Sequence, residues 1–136
     1  MIDTLGEYAF TVHLDTTYED ARQRTEAALK EQGFGVVTEI DMRATMRQKL
    51  DVEFRKYAIL GACNPKLAIR ALTTEPQVGL LLPCNVIVYE DEDGEGCTVS
   101  VVDPIGMLGD IDVDELRAVA DEAHTRLSGV ADALAR

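Results

Sequence analysis

The sequence predicts an α+β domain, a twisted antiparallel sheet packed on helices, in the order β-α-β-α-β-α-β-β-α. Three observations carry this. Several short stretches alternate apolar and polar residues with period two, the pattern of strands with one buried face. Between them lie longer stretches with apolar residues three and four apart, bounded by capping residues, which read as amphipathic helices. The last two strand stretches are separated only by Asp91-Glu92-Asp93-Gly94-Glu95-Gly96, a turn-forming run that marks a hairpin. Hairpin-connected strands with helices gathered on one face define the α+β class.

Taken in order, Tyr8, Phe10, Val12 and Leu14 alternate with Ala9, Thr11 and His13, giving a half-buried strand. Thr16 with Glu19 three residues later reads as a capping box, with Thr16 as the N-cap. The helix it opens runs to about Gln32, turns Ala21, Thr25, Ala28 and Leu29 inward, and is closed by Gly33. Phe34, Val36, Thr38 and Ile40 form a second alternating strand. Met42, Met46 and Leu50 recur at helical spacing and predict a short helix with its methionines in the core. Tyr57 to Ala62 is a strand. Asn64 is a good N-cap, and Pro65 stands at the first helical position, where its missing N–H costs nothing. That helix carries Leu67, Ala68, Ala71 and Leu72 and stops before Pro76. Asn85 to Glu90 and Cys97 to Val102 are the arms of the hairpin, and Asp103-Pro104 ends the second arm. Asp112 and Glu115 form a capping pair for the last helix, whose Leu116, Ala120, Ala123, Leu127, Val130 and Leu134 share one stripe with Val113. No linker, repeat or low-complexity segment divides the chain, so residues 1–136 read as one domain.

Composition narrows what such a domain does. At 46% hydrophobic residues over 136 positions, the chain buries a core without needing disulfides or a structural metal. No apolar run approaches the roughly 18 residues of a membrane span, and Met1-Ile2-Asp3-Thr4 opens no signal segment. A soluble, cytoplasmic protein is expected. The net charge of −12 repels phosphate backbones and anionic bilayers alike, so neither nucleic acid nor a membrane is an expected partner. The bases include few lysines (Lys30, Lys49, Lys56 and Lys66), a balance that suits solubility in concentrated salt. Cys63, Cys84 and Cys97 are odd in number and widely spaced, which argues for free thiols over a disulfide framework.

The residues that stand out chemically are Cys63-Asn64-Pro65 and Pro83-Cys84-Asn85. Each places a thiol beside a residue that stiffens the backbone, at the edge of an apolar element. Cys63 precedes a helix N-terminus, whose unpaired amides favour an anion such as a thiolate. Cys84 opens a strand that lies near the Cys63 strand if sequential strands pair. Together they could form a redox pair, a soft-metal site, or a nucleophile with its neighbour. The competing reading is that both are packed as small apolar residues. Asn64 is explained by capping alone. Asn85 opens a strand, where asparagine is disfavoured, and is a candidate hydrogen-bonding group. Asp103 either ends its strand in a turn or orients a ligand at the sheet edge. The ligand-binding candidates are therefore Cys63, Asn64, Cys84, Asn85 and Asp103, with no cofactor and no metal expected. Two cysteines fall short of the four ligands of a closed zinc site. His13 and His124 read as exposed residues without a role, and the acidic run at Glu90 to Asp93 as a solvated hairpin tip. Phosphate loops, serine-nucleophile motifs, paired metal-binding histidines and base-stacking aromatics are missing, so hydrolase and nucleotide chemistry find no support.

The stretches Tyr57-Ala-Ile-Leu-Gly-Ala-Cys-Asn-Pro65 and Gly79-Leu-Leu-Leu-Pro-Cys-Asn-Val-Ile-Val-Tyr89, with Asp103-Pro104 downstream and Gly33-Phe34-Gly35 and Glu39-Ile40-Asp41 upstream, resemble the DUF 302 family (domain of unknown function). The resemblance spans nearly the whole chain. It implies a small bacterial or archaeal α+β domain, assembled as a homodimer, and implies no activity. The expected role is a small-molecule or protein-partner binding module with a cysteine-lined site. The alternatives are a thiol-dependent redox or sulfur-handling enzyme using Cys63 and Cys84, and a soft-metal binder.

Overall fold

A computed structural model describes residues 2–4, 8–108 and 111–136, the first three by their backbone alone. Among the described residues the chain builds one six-stranded sheet from β1 (Ile2–Thr4), β2 (Ala9–Leu14), β3 (Gly35–Asp41), β4 (Tyr57–Cys63), β5 (Cys84–Glu90) and β6 (Cys97–Val102). The strand order is β1-β2-β6-β5-β4-β3, and every neighbouring pair is antiparallel. The helices are α1 (Tyr18–Glu31), α2 (Met42–Leu50), α3 (Pro65–Thr74), α4 (Pro104–Leu108) and α5 (Asp114–Ala135). The α+β class and the expected succession of strands and long helices are as the sequence predicts. β1, α4 and a short 3₁₀ helix at Pro76–Leu81 are additions.

Strand alternation sets the core. Val12, Leu60, Val86, Val88, Val99 and Val101 all turn to one face and are fully buried beneath α1 and α5. Burial of each such side chain stabilises the fold by about 1.5–3 kcal/mol relative to exposure. α5 is long enough to serve two clusters. Its C-terminal half supplies Leu127, Val130 and Leu134 to the sheet core, and its N-terminal half packs Leu116, Val119 and Ala120 against α3, α4 and the 3₁₀ helix.

The end of α1 shows how local chemistry fixes a chain reversal. Gly33 has φ +85°, a conformation that costs glycine nothing. Its N–H donates to the Lys30 carbonyl at 3.0 Å, and the Phe34 N–H donates to the Leu29 carbonyl at 2.9 Å. This pair of bonds is the Schellman closure. Leu29 and Phe34 are both buried, so the apolar contact that accompanies the motif is present.

Several local expectations are corrected. The N-cap of α1 is Thr17, whose side chain accepts from the Asp20 N–H, while the Thr16 hydroxyl donates to the Asp20 carboxylate. The capping motif is therefore displaced by one residue from the expected Thr16–Glu19 pair. β3 does not present one continuous inner face. A bulge between Val36 and Thr38 inserts an extra residue, so Val36 packs inward while Thr38 and Ile40 turn outward. Met42 and Met46 are not core, because α2, in the connection between β3 and β4, buries no residue; Leu50 is 65% exposed. Asp112 does not cap α5. Val113 holds the N-cap position without a side-chain bond, and Arg117 draws both Asp112 and Asp114 into ion pairs instead. No helix among the described residues is long and apolar enough to cross a membrane.

Candidate functional site

The two apolar clusters do not merge, and the gap between them is a cavity of about 250 Å³. Its walls come from the ends of β4 and β5, from α3, and from the N-terminal half of α5, with Phe34, Leu82 and Leu108 closing the remaining sides. The cause of the void is the size of the residues that meet there. Ala62 and Cys84 are cross-strand partners, Ala68 and Ala71 come from α3, and Ala123 from α5. Close-packed interiors leave few gaps larger than a water molecule, so small side chains converging from four elements leave unfilled space. Exposed Val37 and Leu72 stand among the lining residues, on the solvent side of the cavity.

Cys63, Asn64 and Cys84 all line this cavity. The antiparallel pairing of β4 with β5 brings them together by setting Cys84 opposite Ala62, with Cys63 one residue further on. Both thiols are free and half-buried. Burial pushes the Cys84 thiol from its ordinary 9.0 up to about 11, and the neighbouring Cys63 adds to the rise. Cys84 is therefore a neutral thiol at physiological pH, which suits contact with an apolar group and opposes nucleophilic chemistry. Asn64 is the one amide in an otherwise apolar wall. Its Oδ1 accepts from the Leu67 N–H at 3.4 Å as the N-cap of α3. The helix terminus next to Cys63 thus carries its own neutral cap. Gly33 packs over Asn64, since a Cβ there would meet Asn64 Nδ2 at 3.1 Å.

The other two candidates lie outside the cavity. Asn85 pairs with Gly61, is exposed, and by alternation faces away from Cys84, on the side of the sheet that carries no helix. Asp103 is separated from the cavity by its neighbour Pro104, which forms part of the wall. The Asp103 carboxylate accepts from the Ile105 N–H at 3.0 Å, as the turn at the strand end requires, and pairs with His124 Nδ1 at 2.9 Å. His124 is thus more than an exposed residue: it is half-buried, ion-paired when protonated, and its ring lies 5.4 Å from that of Phe10. Its signal was its place on α5, directly after Ala123 at the margin of the buried stripe. His13 is exposed at 61% and pairs with Thr98, whose hydroxyl also reaches Asp91. Cys97 is buried at the far end of the sheet, where its Sγ donates to the Thr16 carbonyl at 3.5 Å.

The sequence matches the family described as domain of unknown function DUF302 over residues 10–134. The chain belongs to the DUF302 family. A crystal structure of an uncharacterised conserved DUF302 protein from Bacillus stearothermophilus is similar, with a TM-score of 0.82 and 28% identity. The alignment covers 93% of this chain and 97% of that one. No curated protein matches the sequence. The DUF302 fold therefore accounts for the sheet and the helices, and any function must be argued from the site itself.

Proposed function

We propose that this DUF302 domain binds a small apolar molecule in the cavity between its two cores, and that it does so as a homodimer. The observation that carries the ligand reading is the cavity's composition: aliphatic side chains, two thiols and a single amide, with no charged residue in the wall. Binding sites are concave and mostly apolar, with a few polar groups that fix orientation. Asn64 and the two cysteines are those groups here. The size sets the ligand class. An engineered cavity of about 150 Å³ holds benzene, and drug-sized ligands take pockets of about 300 Å³ or more. A cavity of about 250 Å³ suits a fused bicyclic ring or a medium-length alkyl chain.

The thiol-dependent alternative is supported by two cysteines on one wall and opposed by the burial that keeps Cys84 protonated. The soft-metal alternative has only those two thiols. No group of three or more His, Cys, Asp or Glu residues comes together among the described residues.

Titration with a neutral naphthylamine fluorophore tests the reading. The expected result is saturable fluorescence enhancement with one site per chain. Ala71→Leu and Ala123→Leu fill the cavity from opposite walls and are expected to weaken binding at least about tenfold while leaving the circular-dichroism spectrum and melting temperature intact or raised. Wild-type-like binding by both variants would show that the fluorophore sits elsewhere and would overturn the proposal.

A further inference from the structure

On β2 to β6 the face of the sheet that α1 and α5 leave open carries no formal charge; Asp3 of β1, in register with outward Thr11, stands at its edge. On β2, β4, β5 and β6 the outward positions include Thr11, Ile59, Gly61, Ile87, Tyr89 and Ser100, and β3 adds Gly35, Thr38 and Ile40. No Asp, Glu, Lys or Arg occupies an outward position on any of these five strands. In a chain with 28% charged residues and a net charge of −12, a solvated face would carry several. Its centre is an apolar row, Ile40–Ile59–Ile87, in direct cross-strand register. Beside the row, Tyr57 and Tyr89 stack with ring centroids 5.1 Å apart. The charges that approach stand at the margin, where Arg55 lies over Tyr89 and pairs with Glu92, and where His13 meets Thr98 and Asp91.

We infer that this face is the surface through which two copies of the chain pair, sheet against sheet. The inference rests on the homodimer reading above and assigns its interface. A second copy is the occupant that the charge pattern selects. In a two-fold pair the same patch meets itself, so any carboxylate near the axis would face its own copy. A strongly acidic chain self-associates most readily where its surface carries no carboxylates, and the outward face of β2 to β6 is such a surface. An acidic or basic partner would find nothing here to pair with. The size agrees. Five strands about 4.8 Å apart and about 20 Å long give a footprint of about 480 Å² in projection. Exposed Phe54, whose ring lies 6.0 Å from that of Tyr57, extends it toward the about 800 Å² a side of a standard interface. Edge-to-edge pairing through β3 is the less suitable geometry, because the bulge at Val37 interrupts the ladder that a second β3 would have to extend.

Sedimentation equilibrium at micromolar concentration tests the assignment. The wild-type chain is expected at twice its 14.9 kDa mass. Ile59→Glu and Ile87→Glu, each placing a charge in the central row, are expected at the monomer mass with unchanged circular dichroism. Ile87→Lys mixed with Ile87→Glu is expected to restore a dimer that neither forms alone, a result that misfolding cannot produce. A wild-type monomer would refute the homodimer reading and the interface together. A wild-type dimer that persists in both glutamate variants would keep the homodimer and refute this face. The ligand cavity is tested separately by the Ala71→Leu and Ala123→Leu variants, whose positions lie on the helices.

Discussion

Raising the pH discriminates sharply between a packed thiol and a reactive one at Cys84. In the unfolded chain this group ionises near its ordinary 9.0, and in the folded protein near 11. Between those values the unfolded chain has released a proton that the folded chain retains, so folding becomes less favourable as pH rises. The contribution is fully present below about pH 9 and is lost as pH passes about 11. At about 1.4 kcal/mol for each pH unit, the whole effect is roughly 2–3 kcal/mol, of which about 2 kcal/mol is gone by about pH 10.5. That is a large share of the 5–15 kcal/mol of a typical domain. The measurement is urea unfolding at about pH 8 and about pH 10.5, on the wild type and Cys84→Ala. Burial also raises Tyr18, Tyr57 and Cys97, whose contributions are common to both proteins and cancel in the comparison. The wild type is expected to lose about 2 kcal/mol more than the variant. Equal losses would mean that Cys84 ionises as freely in the folded protein as in the unfolded one, and the cavity would then be wetter and more polar than its lining residues indicate.

Two further substitutions test the frame around the cavity. Asn64→Ala removes the cap of α3 and is expected to lower stability by about 1 kcal/mol in thermal or urea unfolding, with no change in the pH dependence assigned to Cys84. Gly61→Ala is expected to destabilise by about 1–3 kcal/mol, because its Cβ would lie 2.7 Å from the Pro83 ring and would also collide with Thr38 Oγ1. A melting temperature equal to wild type would show that Pro83 and β3 yield at little cost.

The order of strands and long helices was legible because each rests on a local signal. Asn64-Pro65 opens α3 and Gly33 closes α1 by chemistry contained within a few residues. Cys63 and Cys84 could be placed together for a similar reason, since sequential strands commonly pair and β4 and β5 do. The misreadings mark where a neighbour decides. Thr17 displaces Thr16 as the cap by a single residue, and Arg117 takes Asp112 away from its expected capping role. Met42, Met46 and Leu50 have helical spacing, but spacing states only that one side is apolar; it does not say that anything covers that side. His124 and Asp103 are 21 residues apart on different elements, and no periodicity links them.

The cavity and the open sheet face were invisible for opposite reasons. The cavity is defined by what is missing: Ala62, Ala68, Ala71, Cys84 and Ala123 each look like ordinary core residues, and only their convergence leaves space. The sheet face is defined by what is present, spread over strands that only the fold brings side by side. Ile59 and Ile87 alternate with buried neighbours on β4 and β5, whose outward positions carry no formal charge. The helices cover one side. The absence of acids from the outward positions of β2 to β6 is the pattern expected if a second copy covers that side, and the Ile59→Glu and Ile87→Glu variants test it.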